Sequence, residues 1–167
     1  GTDSPVFVLA ALKQMLSNTG HDVNIAHTFS CEFEPRKQRW IKTSCPELQM
    51  LFGDIVELGK NDAFNVITET YIEVPYVDLF LAGFSCRDVS TLNNNQKQHG
   101  SYISDAEGNT GVTFDGVLGY AVKHMPKIII LENVMGIKKG RNLIEVIHLM
   151  NLAGYAMTHR ELNSLDF

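Results

Sequence analysis

Residues 127–131, Lys127-Ile128-Ile129-Ile130-Leu131, form a nearly uninterrupted run of β-branched and apolar residues. Such a run is typical of a strand that is buried on both faces, as in a parallel sheet covered by helices. A second stretch, Val77-Asp78-Leu79-Phe80-Leu81-Ala82, predicts another strand, and this strand ends at Gly83. These two strands anchor the interpretation of the rest of the chain.

Segments with helical spacing of apolar residues alternate with the strands. A helix is predicted over 113–124, between the two strands, and another over 142–152, which closes at Gly154. The other predictions, in chain order, are a helix over 5–16, a strand over 24–29, a helix over 35–41, a mobile loop over 93–109 and a strand over 155–162. This alternation predicts an α/β fold with a doubly wound, mostly parallel sheet, in which ligands bind beyond the carboxyl ends of the strands.

Size and composition limit the possibilities. The chain has 167 residues, enough for one domain, and its 44% hydrophobic and 20% charged content is ordinary for a globular protein. No apolar run approaches the roughly 20 residues that span a bilayer, and no secretory signal is visible. Since the chain opens at Gly1 without an initiator methionine, we expect it to start inside a longer protein.

The cysteines, histidines and net charge indicate where the chain works and what it binds. Three cysteines without close spacing argue against a disulfide framework or a zinc site, and they favour a reducing, intracellular compartment. The six histidines show no metal spacing, so no metal is expected, and Trp40 is expected in the core with most phenylalanines. A net charge of −5 argues against this segment gripping a duplex alone.

Two acidic residues follow predicted strand ends. Glu32 is placed to accept hydrogen bonds from the ribose hydroxyls of a nucleoside cofactor, although a surface carboxylate is the more common identity of such a residue. Asp54, in Phe52-Gly53-Asp54-Ile55, is placed to accept from an adenine amino group, with a turn former as the alternative. Phe33 is the one aromatic residue whose ring is expected to lie against an adenine.

A thiol and a carboxyl group follow the two anchoring strands. Cys86 lies directly after the strand that ends at Gly83, and Arg87 beside it favours the reactive thiolate. The alternative is a small buried apolar residue, the usual fate of an unbridged cysteine. Glu132 ends the most apolar strand, where partial desolvation would make it a proton donor near neutrality, and a turn cap is its alternative.

Five short blocks of this sequence, taken in their order along the chain, resemble motifs of the DNA (cytosine-5) methyltransferases. The family carries a Gly-x-Pro-Cys-Gln loop and a later Glu-Asn-Val strand end, which correspond here to Gly83-Phe84-Ser85-Cys86 and Glu132-Asn133-Val134. The further blocks are Gly1-Thr2-Asp3-Ser4-Pro5, Ser30-Cys31-Glu32-Phe33 and Gly53-Asp54-Ile55. The final residues, 162–167, resemble the stretch before the family's Gln-x-Arg-x-Arg strand.

The resemblance implies a Rossmann-like fold that binds S-adenosylmethionine, in a single partial domain without the target-recognition region. In a eukaryote it also implies a location in the nucleus. The implied cofactor contacts are Gly1, Thr2, Glu32, Phe33, Asp54, Ile55 and Gly83. The implied catalytic residues are Cys86, whose thiolate attacks C6 of a cytosine flipped out of DNA, and Glu132, which holds N3. Attack at C6 makes C5 nucleophilic toward the methyl group, and the segment alone is expected to be inactive.

The chain departs from the family pattern at Ser85, where proline is usual, at Arg87, where glutamine is usual, and at Thr110, near a usual arginine. Loss of proline removes a constraint on the loop that carries Cys86. Three other functions stay open. A transfer-RNA cytosine methyltransferase would share the same core chemistry. An inactive methyltransferase-like regulatory module is favoured by the changes at Ser85 and Arg87 and disfavoured by the presence of Cys86 and Glu132, and the third function is a dehydrogenase. The last is disfavoured because no Gly-x-Gly-x-x-Gly motif is present.

Overall fold

The structure is a computed structural model, and it describes residues 4–94 and 101–163. The helices are α1 (Ser4–Asn18), α2 (Pro35–Ser44), α3 (Gly108–His124) and α4 (Asn142–Leu152), with short 3-10 helices at Ile55–Gly59 and Met135–Lys138. The strands are β1 (Ser30–Cys31), β2 (Leu51–Phe52), β3 (Asp62–Asn65), β4 (Thr70–Glu73), β5 (Leu79–Gly83) and β6 (Ile128–Glu132). None of the helices in the described part has the length and apolar character that a bilayer span requires.

The strands form two small sheets. One has the order β1-β2-β3-β4, in which β1 and β2 run parallel and β3 and β4 form an antiparallel hairpin. The other is the parallel pair β5 and β6, with Leu79 opposite Ile128 and Gly83 opposite Glu132. The α/β class predicted from the sequence is therefore confirmed, whereas the doubly wound arrangement stays a prediction.

Aromatic rings join the two sheets to α3. The Phe29 ring lies 5.5 Å from that of Phe52 on β2, 6.4 Å from that of Phe80 on β5 and 5.7 Å from that of Tyr120 on α3. Phe52, Phe80 and Tyr120 are all buried in one apolar cluster. Because aromatic side chains bury large areas, this cluster fixes β2, β5 and α3 relative to one another.

The helices follow the sequence pattern closely. The helix predicted over 142–152 has these bounds, and those over 5–16 and 35–41 are confirmed with two or three more residues at their ends. The helix predicted over 113–124 begins five residues earlier, at Gly108. Gly108 and Gly111 hid this first turn, because glycine weakens a helical pattern.

Two predicted strands are wrong. Residues 24–29 are irregular, and pairing begins only where the Ser30 N–H donates to the Met50 carbonyl, because 24–29 meet no partner strand in the described ranges. The segment 155–162 is not a strand either. Tyr155 instead folds back on the end of α4, donating its N–H to the Met150 carbonyl and its hydroxyl to the Pro126 carbonyl.

Three predictions of exposure also need correction. The second half of the predicted mobile loop is anchored, since the Ser101 hydroxyl and the Tyr102 N–H both donate to the buried Asn142 side chain; 95–100 lie outside the described residues. The β6 strand is not buried on both faces: Ile128 and Ile130 are 58% and 53% exposed, because no described element covers that face. Trp40 is 55% exposed on α2 rather than in the core.

Candidate active site

Two acidic residues lie at one edge of the first sheet. β1 and β2 run parallel with Cys31 opposite Phe52, and the Glu32 N–H extends this pairing by donating to the Phe52 carbonyl at 3.0 Å. Asp54 follows two residues after Phe52. Because the carboxyl ends of parallel strands meet at the same edge, Glu32 and Asp54 both follow strand ends at this edge of the sheet.

Glu32 is a buried carboxylate. Only 8% of the residue is exposed, and its Oε1 accepts from the Glu34 N–H at 2.8 Å. Its carbonyl accepts from the Gln38 side-chain amide at 2.6 Å, which ties the strand end to α2. The alternative that Glu32 is a surface carboxylate is therefore wrong. The negative charge of Glu32 also helps to raise the pKa of Lys37, after the larger effect of the hydrogen bond to Glu34.

Phe33, directly after this buried carboxylate, presents its ring to the surface and is 80% exposed. Large aromatic side chains are normally buried, so an open ring beside a buried acid is an informative combination. It offers a flat apolar face next to a hydrogen-bond acceptor, which is the pair of features that a nucleoside needs.

Asp54 acts as a helix cap. Its Oδ1 accepts from the Val56 N–H at 3.0 Å and so begins the 3-10 helix at Ile55–Gly59. The turn-forming role weighed as the alternative is thus present. A carboxylate has two oxygens, and this cap occupies one of them, so a ligand role is compatible with it.

The thiol loop and the carboxyl group lie at one edge of the second sheet. Gly83 and Glu132 are paired across β5 and β6, and a Cβ at Gly83 would come within 3.1 Å of Glu132 Oε2. The Asn133 side-chain amide donates to the Phe84 carbonyl at 3.0 Å, so the residue after Glu132 holds the loop that leads to Cys86. Cys86 is half-buried against the core, and its carbonyl accepts from the Ser90 N–H at 2.8 Å.

Glu132 itself is exposed, which corrects the expectation that it is partly desolvated. No described residue closes over the carboxyl end of β6, so the side chain meets solvent. Arg87 is exposed as well.

α3 connects the loop that carries Cys86 to the segment after β2 that carries Asp54 and Ile55. Thr113 on α3 accepts from the Ser85 N–H at 2.9 Å, and three residues on, Gly116 packs against the backbone of Ile55. A Cβ at Gly116 would lie 2.9 Å from the Ile55 carbonyl carbon, which is too close for any side chain. Three residues span about 4.5 Å of helix, so the two loops attach within a single turn of α3.

A comparison with known families bears on the same residues. The family model of the C-5 cytosine-specific DNA methylases matches residues 10–167, which include Glu32, Asp54, Cys86 and Glu132. The chain belongs to the C-5 cytosine-specific DNA methylases.

The sequence is also similar to individual methyltransferases from a fungus and from bacteria. The chain is 41% identical over 136 residues, or 80% of its length, to the DNA (cytosine-5-)-methyltransferase DMT5 of Cryptococcus neoformans var. grubii, of which it covers 5%. It is 28% identical to two bacterial type II methyltransferases, M.DsaV of Dactylococcopsis salina and M.HaeII of Haemophilus aegyptius. These matches cover 83% and 84% of this chain, and 34% and 39% of the two relatives.

Several contacts in this methylase chain were missed by the sequence analysis. The reciprocal pair of Asp88 and Thr110 and the Ser85–Thr113 hydrogen bond join residues 22 and 28 positions apart, and the Gln38 contact to Glu32 spans six positions. The start assigned to α3 at residue 113 concealed the first pair, since it left Thr110 outside every predicted helix.

Gly1 and Thr2, expected at the methionine end of the cofactor, lie outside the described residues. Within 4–94 and 101–163, one group of side chains has a spacing suited to a metal: His27, Cys45 and Glu47, whose ligand atoms lie within 4.8 Å of one another. Three ligands are one fewer than a closed structural zinc site uses, and Glu47 is exposed. The expected absence of a metal stays a prediction.

Proposed function

We propose that the protein containing this chain transfers a methyl group from S-adenosylmethionine to C5 of cytosine in DNA, through a covalent adduct at Cys86. The observation that carries the proposal is the pairing of Gly83 with Glu132. It sets the cysteine loop and the carboxylate at one sheet edge, in a chain of the C-5 methylase family.

The residues at the first sheet edge fit the cofactor. The buried Glu32 carboxylate suits the two ribose hydroxyls, and the exposed Phe33 ring suits one face of the adenine. We assign Asp54 to a hydrogen bond with the adenine amino group and Ile55 to packing against the adenine ring. Gly83 is assigned to a contact with the cofactor at the start of the loop that carries Cys86. Gly1 and Thr2 are assigned to the methionine end on the family pattern. When bound, S-adenosylmethionine supplies an electrophilic methyl group on a positively charged sulfur.

The residues at the second edge supply the activation of the base. The target cytosine leaves the duplex, which costs a few kcal/mol of stacking and pairing. The Cys86 thiolate forms a bond to C6, and Glu132 donates a hydrogen bond or proton at N3, so that electron density moves to C5. Once C5 carries the methyl group, the C5 proton passes to solvent, the C6–sulfur bond breaks and the N3 proton returns to the Glu132 carboxylate, which restores the aromatic ring and the thiolate. Exposure of Glu132 in the described chain leaves it accessible to a base that enters from solvent.

We further propose that β5 and β6 belong to a doubly wound sheet in the full-length protein. They run parallel, and α3 lies between them in sequence as the crossover helix.

DNA is bound largely by residues outside this chain, because the net charge of the chain is −5 and the phosphate backbone favours positively charged surfaces.

Methyl transfer by the full-length protein tests the proposal. The assay measures incorporation of labelled methyl groups from S-adenosylmethionine into duplex DNA and, in parallel, into transfer RNA. We expect activity on DNA alone, complete loss in Cys86→Ser and a fall of at least about 100-fold in Glu132→Gln, because each removes a group from the reacting base.

Cys31→Ser is the matched control, since Cys31 is also half-buried and ends a strand, β1, of the other sheet. It should retain activity. Undiminished activity in Cys86→Ser, or methylation of RNA in place of DNA, contradicts the proposal.

A further inference from the structure

The loop that carries Cys86 is held by a threonine hydroxyl of α3. Thr113 Oγ1 donates its hydrogen to the Asn109 carbonyl at 2.6 Å, within the helix. A hydroxyl has one hydrogen and two lone pairs, so toward the loop Thr113 acts as an acceptor. It accepts from the Ser85 N–H at 2.9 Å. Proline has no N–H and is excluded from this hydrogen bond.

Ser85 also closes the backbone on the other side of Cys86. Its hydroxyl accepts from the Arg87 N–H at 3.3 Å, which makes a short side-chain turn around the cysteine. The residues before and after Cys86 are therefore both tied through Ser85, by its N–H and by its hydroxyl.

A second pair of bonds fixes the far side of the loop. Asp88 Oδ2 accepts from the Thr110 N–H at 2.7 Å, and the Thr110 hydroxyl accepts from the Asp88 N–H at 3.2 Å. Asp88 thus caps the first turn of α3, where a negative charge is favourable and where Glu107 provides no side-chain cap. Gly108 is required beside it: its φ is +63°, and a Cβ there would lie 2.6 Å from Asp88 Oδ2.

We propose that Thr113 is a positioning residue for the Cys86 thiol, and that the Ser85–Thr113 and Asp88–Thr110 bonds form a clamp that replaces the stiffness of a loop proline. This inference rests on the proposed role of Cys86. It explains two departures together: serine at 85 supplies the N–H that Thr113 accepts, and the fully buried Thr110 completes the clamp where an arginine would not fit. A proline ring at 85 would collide with Thr113 Oγ1, because its Cδ takes the place of the amide hydrogen.

Single-turnover capture of a 5-fluorocytosine duplex by the full-length protein tests the clamp. Thr113→Val keeps the shape and removes the acceptor, and it should slow capture about tenfold with an unchanged affinity for S-adenosylmethionine, since a loop misplaced by an ångström can cost up to about 100-fold. Thr113→Ser restores the hydroxyl and should capture within about twofold of wild type, as a retained hydrogen bond requires. Thr43→Val is the matched control, because the Thr43 hydroxyl makes the same helical bond, to the Arg39 carbonyl, and holds no loop.

Proline gives a second, reciprocal test. Ser85→Pro should capture slowly in the presence of Thr113, and the double variant Ser85→Pro with Thr113→Ala should regain much of the rate because the collision is gone. A double variant no faster than Ser85→Pro alone, or equal losses in Thr113→Val and Thr113→Ser, overturns the clamp.

Hydrogen exchange separates failure of the clamp from failure of the proposed function. The amides of 84–88 should exchange about five- to tenfold faster in Thr113→Val than in wild type or Thr43→Val, the effect of one lost hydrogen bond. A wild-type protein that captures no DNA contradicts the function proposed for Cys86. Unchanged exchange in Thr113→Val overturns the clamp whether or not DNA is captured.

Discussion

Replacing Phe33 with alanine tests whether its ring is a platform for the adenine of the cofactor. The ring is 80% exposed, so its removal takes little packing from the folded chain. An adenine on one face would bury about half of the side chain, a gain of about 1 kcal/mol. Stacking of a base on an aromatic ring is worth about 1–3 kcal/mol by alanine substitution. The burial estimate and the stacking range describe the same contact and are not added, and the stacking range of about 1–3 kcal/mol is used here because it comes from alanine substitutions.

We therefore expect Phe33→Ala to raise the Kd for S-adenosylmethionine by about 5- to 100-fold, since about 1.4 kcal/mol is a factor of ten. Isothermal titration calorimetry on the full-length protein measures the Kd, and thermal unfolding should show almost no change in Tm. Trp40→Ala is the control, because Trp40 is also an exposed aromatic residue, at 55%, but lies within α2 rather than directly after a strand end. Wild-type affinity in Phe33→Ala, or an equal loss in Trp40→Ala, would refute the stacking role.

Two further predictions concern the elements that support the site. Gly116→Ala should lower the free energy of unfolding, measured in urea, by about 1–3 kcal/mol and should also weaken cofactor binding, because its Cβ would lie 2.9 Å from the Ile55 backbone. Gly119→Ala is the control: its Cβ would meet the Gly59 Cα at 3.5 Å, so neither quantity should change. Burial raises the pKa of Tyr120, so its stabilisation is complete below the unfolded pKa of about 10 and is lost as the pH rises above it. Tyr120→Phe should remove this alkaline loss of Tm at a cost of about 1 kcal/mol at neutral pH, since the hydroxyl no longer donates to the Pro75 carbonyl; an unchanged alkaline profile contradicts the assignment.

The sequence predicted elements whose pattern is local. Helical periodicity located α4 and most of α1 and α2, and the apolar runs located β5 and β6 within two residues. The candidate residues after these strands followed from one rule, that ligands bind at the carboxyl ends of parallel strands. Family order then added their roles, which no single residue carries alone.

What the sequence did not predict depends on contacts between distant segments. The β3–β4 hairpin was missed, and 24–29 was assigned to a strand, because pairing requires a partner that periodicity does not reveal. The exposure of Ile128 and Ile130 depends on what covers β6, which the run of apolar residues does not specify. The Ser85–Thr113 contact joins residues 28 positions apart, and the sequence around Ser85 shows the loss of a proline but not the hydrogen bond that Ser85 makes.

The covalent bond between protein and base measures directly whether Cys86 and Glu132 act together on one cytosine. Full-length protein is incubated with S-adenosylmethionine and a duplex that carries 5-fluorocytosine, and the adduct is mapped by peptide mass spectrometry. We expect one trapped nucleotide, on the peptide that contains Cys86, and a much lower yield in Glu132→Gln. An adduct on Cys31 or Cys45, or full trapping in Cys86→Ser, would contradict this joint role.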